Sequence, residues 1–137
     1  MKQIALLDAS ALLALVLNER GADHVEALLD SAAIHAVNFA EVITKLLQKG
    51  VPVEEAGRVA EEMALDVYEE FGALQAISCG ELHASTRPLG LGLGDCVCLT
   101  VAAWKGMTAV TCDRKWLDLQ GRSLRGTDTR LQVECVR

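Results

Sequence analysis

The chain alternates short apolar runs with stretches in which apolar residues recur every three or four positions. Ile4-Ala5-Leu6-Leu7 predicts a first buried strand, and Ser10 to Asn18 a helix. Ala22, Val25, Leu28 and Leu29 repeat at helical spacing, with Asp23, Glu26 and Asp30 outward. Ala33 to Val37 predicts a second strand. Asn38 follows as the cap of a helix that closes at Gly50. Pro52 opens another helix with Ala56, Val59, Ala60 and Met63 inward. A third strand is expected within Leu65 to Phe71, then a helix from Ala73 to Thr86 that stops before Pro88. The run from Leu89 to Gly94, with a glycine at every second position, is a flexible approach to a helix from Asp95 to Lys105. Met107 to Thr111 predicts a fourth strand, Arg114 to Leu119 a short helix, and Leu131 to Val136 a last strand. Strands that alternate with helices in this way predict an α/β fold: a central, mostly parallel sheet with helices on both faces.

Composition agrees with that architecture. Half the residues are apolar (51%) but only 4% are aromatic, so aliphatic side chains must build the core. The 137 residues show no linker, repeat or low-complexity stretch, and one domain over residues 1–137 is expected. The apolar run Ala11 to Leu17 is far short of the ~20 residues a membrane span needs. Met1-Lys2 leads almost directly into a strand with no small-residue cleavage site, so no signal peptide is read. Five cysteines (Cys79, Cys96, Cys98, Cys112, Cys135) lack paired metal-ligand spacing; buried free thiols in a reducing cytoplasm are expected. The net charge of −6 excludes bulk attraction to nucleic acid. It is unevenly spread: residues 51–104 carry 2 basic and 9 acidic groups, residues 105–137 carry 7 and 4. A nucleic-acid surface would draw on the C-terminal third.

Four acids stand at predicted strand ends or helix starts: Asp8 after the first strand, Glu41 one turn into the helix after the second, Asp95 after the glycine run and Asp113 after the fourth strand. In an open parallel sheet, the carboxyl ends of the strands line one crevice, so the four can meet there. Each also has a plain structural reading. Asp8, Asp95 and Asp113 sit where helix caps belong, and Asn38 with Glu41 has the spacing of a capping box. Together, clustered carboxylates call for a hard divalent cation, because without one they repel. The glycines at 90, 92 and 94 do not match a dinucleotide fingerprint, which needs GxGxxG at the first strand-to-helix turn.

Leu6-Leu7-Asp8-Ala9-Ser10-Ala11-Leu12-Leu13 resembles the opening motif of PIN domains, and Ala40-Glu41-Val42 their second acidic motif. Leu91-Gly92-Leu93-Gly94-Asp95-Cys96-Val97-Cys98-Leu99 is similar to the "LSLGD…CLA" segment of VapC-type PIN toxins. Val110-Thr111-Cys112-Asp113-Arg114-Lys115-Trp116 resembles their "T-x-D-x-x-W" ending. The resemblance covers nearly the whole chain. It implies a PIN-like three-layer fold and a Mg²⁺- or Mn²⁺-dependent endoribonuclease, usually the toxin of a toxin–antitoxin pair. The acidic quartet carries over as Asp8, Glu41, Asp95 and Asp113, the last often acting through water. Ser10 and Thr111 carry over as supporting hydroxyls. Gly92 stands where the family usually has Ser, which loosens the start of the Asp95 helix without removing a ligand. The family also implies a homodimer and an antitoxin segment lying along the first helices, reaching the acids with a basic side chain. The helix Ala11 to Leu17, apolar nearly all round, would need a second cover, from a neighbouring helix or from such a partner.

Arg87, Arg114 and Lys115 flank these motifs, as solvated surface or as phosphate contacts. His24, His35 and His83 read as structural or solvated, and Trp104 and Trp116 as packing. Two other functions compete with the nuclease. A non-catalytic interaction module of the same fold would need no intact quartet. A receiver-type phosphoacceptor domain would need a neighbouring acidic pair and an Asp at the end of a middle strand, whereas these four acids lie far apart in sequence and Asp8 continues as Ala-Ser-Ala-Leu-Leu.

Overall fold

Ala5, Leu6 and Leu7 are all buried and form strand β1, which lies at the centre of the sheet. In the computed structural model, which describes residues 2–137, helices α1 (Ala9–Val16) and α2 (Ala22–Leu28) follow, then β2 (Ala32–His35) and α3 (Ala36–Gln48). Two short helices, α4 (Val53–Gly57) and α5 (Val59–Glu62), lead to β3 (Asp66–Tyr68). Helix α6 (Ala73–Ser85), a 3-10 turn (Arg87–Leu89), α7 (Leu93–Lys105) and β4 (Thr108–Thr111) come next. A third 3-10 turn (Arg114–Leu119), after those at Leu29–Ser31 and Arg87–Leu89, and β5 (Val133–Cys135) complete the order. The five strands run β3-β2-β1-β4-β5, and every pairing is parallel.

Alternation along the strands divides the core into two layers. Leu6, Ala33 and Ala109 are register neighbours and pack with Cys79, Leu82, Leu99, Trp116 and Leu131 on one face. Ala5, Leu7, Ile34 and Val110 point the other way, among Leu12, Val25, Val42, Leu46 and Val59. The α/β reading of the sequence therefore holds, with helices on both faces. Trp116 is fully buried, as its packing role required. The cysteines are free thiols, four of them buried. Among the described residues, no helix is long and apolar enough to cross a membrane.

Several elements differ from the sequence reading. The second strand ends at His35, two residues before Val37. Helix α3 is capped by His35, so Asn38 lies inside its first turn and forms no capping box with Glu41. The helix after Pro52 breaks into α4 and α5 around Gly57 and Arg58. Helix α7 starts two residues early, with Gly92 as its cap, so Asp95 is the third helical residue. The glycine run is taken up by the 3-10 turn Arg87–Leu89, ended by Gly90 at φ +69°, and by α7 itself. The wide apolar surface of α1 is covered only in part within the chain: Leu13, Leu15, Val16 and Leu17 pack on the second core layer, against α2 and α3, and remain half-buried.

His35 shows how a buried polar residue terminates a strand here. Its Nδ1 accepts from Val37 N at 3.1 Å, which leaves Nε2–H to donate to the Glu70 carbonyl at 3.2 Å. The ring is thus held neutral, and burial lowers its pKa below the usual 6.5 despite the Glu70 carbonyl. A lowered pKa gives stability that is complete above pH 6.5 and is lost as pH falls through the folded value. His35→Asn, which keeps a capping oxygen but cannot titrate, is expected to lose less stability than the native chain between pH 7.5 and pH 5. Urea melts at the two pH values measure this; equal losses would refute it. His35→Ala is expected to cost ~1–2 kcal/mol at pH 7.5 from the lost cap alone.

Candidate active site

The sheet order reverses direction between β1 and β4, the place where the connections on either side diverge and a crevice opens at the strands' carboxyl ends. Asp8 leaves β1 at that point and caps α1. Its Oδ1 accepts from Ala11 N at 2.8 Å and Ser10 Oγ at 2.7 Å, and its Oδ2 accepts from Thr111 Oγ1 at 2.6 Å. Ser10 Oγ in turn accepts from Cys112 N at 2.9 Å, and Thr111 Oγ1 accepts from Asp113 N at 3.0 Å. Two hydroxyls thus tie the end of β1 to the turn after β4. Asp113 caps the following 3-10 turn, with Oδ1 accepting from Lys115 N at 3.0 Å. Capping and site formation are the same geometry at Asp8 and Asp113, not alternatives.

Glu41 and Asp95 come from α3 and α7. Asn38, fully buried, joins them: its Nδ2 donates to Glu41 Oε1 at 3.0 Å and to the Gly94 carbonyl at 2.9 Å. Its Oδ1 is buried without a partner. The Glu41 carboxylate lies against Gly94 so closely that a Cβ there would sit 2.5 Å from Oε1. Asp95 Oδ2 accepts from Gly92 N at 2.9 Å, so the carboxylate closes the start of its own helix.

The electrostatics follow from this crowding. Burial pushes the Asp8 carboxyl up to about 6 from 3.8; its three donors oppose the rise and the Asp95 charge adds to it. Burial also raises Glu41, with the Asn38 donor and Lys45 opposing and Asp95 adding. Asp95 is raised by burial and by Asp113, and lowered by the Gly92 N–H, Lys115 and His83. The Cys98 thiol lies wholly buried beneath, held well above its usual range by burial and by the same three carboxylates. Among the described residues, no three His, Cys, Asp or Glu side chains converge as a ready cation site. The donor set nevertheless fits a hard divalent ion. It is all oxygen, its acids repel one another, and the unpartnered Asn38 Oδ1 adds a neutral oxygen.

The flanking cations divide. Lys115 Nζ would lie 3.9 Å from a Cβ on Gly90, beside the acids. Arg87 borders a cleft next to that turn. Arg114 instead donates to the Arg137 carbonyl at 3.4 Å. Three residues escaped the sequence reading. Asn38 was masked by its resemblance to a cap, although the i to i+3 spacing puts it on the Glu41 face. Gly94, a helix-weakening residue inside a helical turn, signals a close approach that only the fold reveals. His83 acts on Asp95 from α6, and nothing local in the sequence marks it.

A family model described as "PIN domain" matches residues 5–121. No curated protein matches the sequence. Among solved structures, PAE2754 from Pyrobaculum aerophilum is 25% identical, with a TM-score of 0.60 and 86% of each chain covered. The DNA-bound VapBC from Salmonella typhimurium is 19% identical at a TM-score of 0.69, covering 98% of this chain and 99% of that one. VapC20 from Mycobacterium tuberculosis, described as a Sarcin-Ricin loop cleaving toxin, is 16% identical at 0.68, covering 83% and 93%. The parallel sheet, the four acids at its carboxyl edge and a family match over most of the sequence converge: this chain belongs to the PIN domain family.

Proposed function

We propose that this protein is a metal-dependent endoribonuclease, the toxin of a VapBC-type toxin–antitoxin pair. The observation that carries the reading is the acidic cluster itself. Carboxylates from β1, α3 and α7 are held together although burial and mutual repulsion raise their pKa values. A fold keeps such a cost where a function needs it. The likeness to a sarcin–ricin-loop-cleaving toxin and to VapBC complexes supports RNA as substrate and an antitoxin as partner.

Asp8, Glu41 and Asp95 would hold Mg²⁺ or Mn²⁺, and Asp113 would complete the site directly or through water. When bound, such an ion supplies an acidified water and charge neutralisation at phosphorus. The chain supplies the rest. Ser10 and Thr111 occupy one side of Asp8 and fix its carboxylate. Asn38 holds Glu41 against α7. Asp113 keeps Oδ2 without a protein donor among the described residues, available to orient water. Hydrolysis would then form a P–O bond from an in-line water that gives up a proton, as the opposite P–O bond breaks and its leaving oxygen takes up a proton.

RNA cleavage is expected to need Mg²⁺ or Mn²⁺ and to stop with EDTA. Asp8→Asn should lower cleavage by more than the ~10–100-fold that losing a supporting partner costs. The same variant has a signature in the metal-free protein. A carboxyl raised to about 6 stabilises the fold below pH 3.8 and loses that contribution as pH rises through 6. Asp8→Asn should therefore stabilise the apo protein at pH 8, by at most about 3 kcal/mol, and not at pH 4. Full activity in EDTA, or a destabilised variant at pH 8, would overturn this assignment.

Gly94→Ala is expected to displace the Glu41 carboxylate, because the new Cβ would fall 2.5–2.6 Å from its atoms. Calorimetric Mn²⁺ affinity should drop about tenfold or more, while Gly57→Ala, where a Cβ meets nothing, leaves it unchanged. Equal affinities would remove Glu41 from the metal set.

The homodimer and the antitoxin groove along α1 and α2 belong to the same proposal. Light scattering at micromolar concentration should give a dimer. A co-expressed antitoxin should slow hydrogen exchange within residues 10–30. A monomer removes the first element, and unchanged exchange the second.

A further inference from the structure

Each of the four acids has one oxygen bonded to a protein N–H. Asp8 Oδ1 accepts from Ala11 N, Glu41 Oε1 from Asn38 Nδ2, Asp95 Oδ2 from Gly92 N and Asp113 Oδ1 from Lys115 N. The opposite oxygens of Glu41, Asp95 and Asp113 have no protein donor among the described residues. Asp8 Oδ2 accepts only the Thr111 hydroxyl. An ionised carboxylate has about four lone-pair sites, and Asp8, with the Ser10 hydroxyl also on Oδ1, has about one left. The four acids are thus left with one open oxygen apiece.

For Asp8, Asp95 and Asp113 the N–H is a backbone amide at the start of a helix or 3-10 turn, where such groups are free in any sequence. Glu41 is different: it lies beyond the first turn of α3, and its donor is a side chain. Asn38 is fully buried, and both hydrogens of its amide are used, on Glu41 Oε1 at 3.0 Å and on the Gly94 carbonyl at 2.9 Å. The amide cannot turn over without setting Oδ1 against those two acceptors. Gly94 closes the other side. A Cβ there would fall 2.5–2.6 Å from Oε1, Cδ and Oε2 alike, so the carboxylate lies face-on to the α7 backbone. Glu41 is fixed by an amide at one oxygen and by a backbone along its face.

The number of oxygens each acid can give decides which ion fits. Ca²⁺ takes about 6–8 oxygens at ~2.3–2.6 Å, often two from one carboxylate, whereas Mg²⁺ is octahedral at ~2.0–2.1 Å and keeps several waters. Acids limited to one oxygen apiece suit the smaller ion and under-supply Ca²⁺. We infer that Asn38 sets the ion preference of this site: by holding Glu41 to one open oxygen, it makes the four acids a cage for a small octahedral divalent ion and a poor one for Ca²⁺. This rests on the metal-dependent reading above and adds to it a positioning residue that acts through Glu41.

Calorimetric titration with MnCl₂ and with CaCl₂ tests this without any substrate. The native chain should bind Mn²⁺ the more tightly. Asn38→Leu keeps the branching and length of the side chain and removes both amide donors; Asn38→Ala removes them with less bulk, should the first variant fail to fold. Either is expected to melt at a lower temperature, because the Gly94 carbonyl loses its donor. Either should lower Mn²⁺ affinity about tenfold or more, the scale of losing a group that orients a ligand. Ca²⁺ affinity should hold or rise, because Glu41 gains its second oxygen, so the gap between the two ions narrows. A merely structural role would weaken both ions alike. Lys45→Ala is the control for charge: it removes a cation that acts on Glu41 without a hydrogen bond to it, and should shift both ions equally. A parallel loss of both affinities in the Asn38 variants would overturn the inference. So would a widened gap, which would make Asn38 Oδ1 itself a ligand, a native chain that binds Ca²⁺ as tightly as Mn²⁺, or a gap that Lys45→Ala narrows as much. The metal-dependent reading fails separately, if the native chain binds neither ion.

Discussion

The carboxylate of Asp8 is the constraint around which the site is organised. It is 3% exposed and ends a central strand that is itself buried on both faces. A carboxyl in that position costs stability whenever it is ionised, and its three donors offset only part of the cost. Those donors come from the start of α1 and the end of β4, so the same bonds that tolerate the charge also fix the two loops of the crevice. Ser10 and Thr111 each accept a further backbone N–H from the turn beyond β4. Loosening either hydroxyl would free the Asp113 turn as well as Asp8. Local order and the position of the acids are therefore one property of the network.

The second constraint is steric and sits between α3 and α7. Asn38 bridges the two helices through Glu41 and the Gly94 carbonyl, and the missing side chain at Gly94 lets the Glu41 carboxylate lie against the helix that carries Asp95. Two like charges are brought together by a neutral amide and an absent methyl group. The glycine costs helix stability of roughly 1 kcal/mol relative to Ala. Its position in the first turn of α7, with the Asp95 carboxylate closing that turn through the Gly92 N–H, limits the damage.

The strands, their order of burial and the four acids were readable in the sequence because each is a local signal. Apolar runs mark the central strands, and acids directly after them mark the carboxyl edge. Longer-range facts were not readable. The cap of α3 was assigned to Asn38 because the residue type fits, yet His35 supplies it by accepting from Val37 N, its ring held by the Glu70 carbonyl 35 residues away in sequence. The break between α4 and α5 was hidden by an apolar pattern that continues through Gly57. The apolar stripe of α1 called for a second cover; α2 and α3 supply part of it and leave Leu13, Leu15, Val16 and Leu17 half-buried, and sequence periodicity cannot say which neighbour does so.

The distribution of charge bears on how an acidic chain could address a polyanion. The excess of acid in residues 51–104 is largely spent on outward faces, where Glu54, Glu55, Glu61 and Glu62 are exposed on α4 and α5. Screening over roughly 8–10 Å at physiological salt confines their influence to that side. Near the crevice the balance is set by a few groups: Asp8, Glu41, Asp95 and Asp113 against Lys45, Arg87 and Lys115. Without a cation the site is net negative, and a phosphate would be repelled from the acids while attracted to their basic flank. A divalent ion among the carboxylates would reverse the sign of the centre alone and leave the flank unchanged. Substrate affinity and the chemical step would then depend on separate sets of residues.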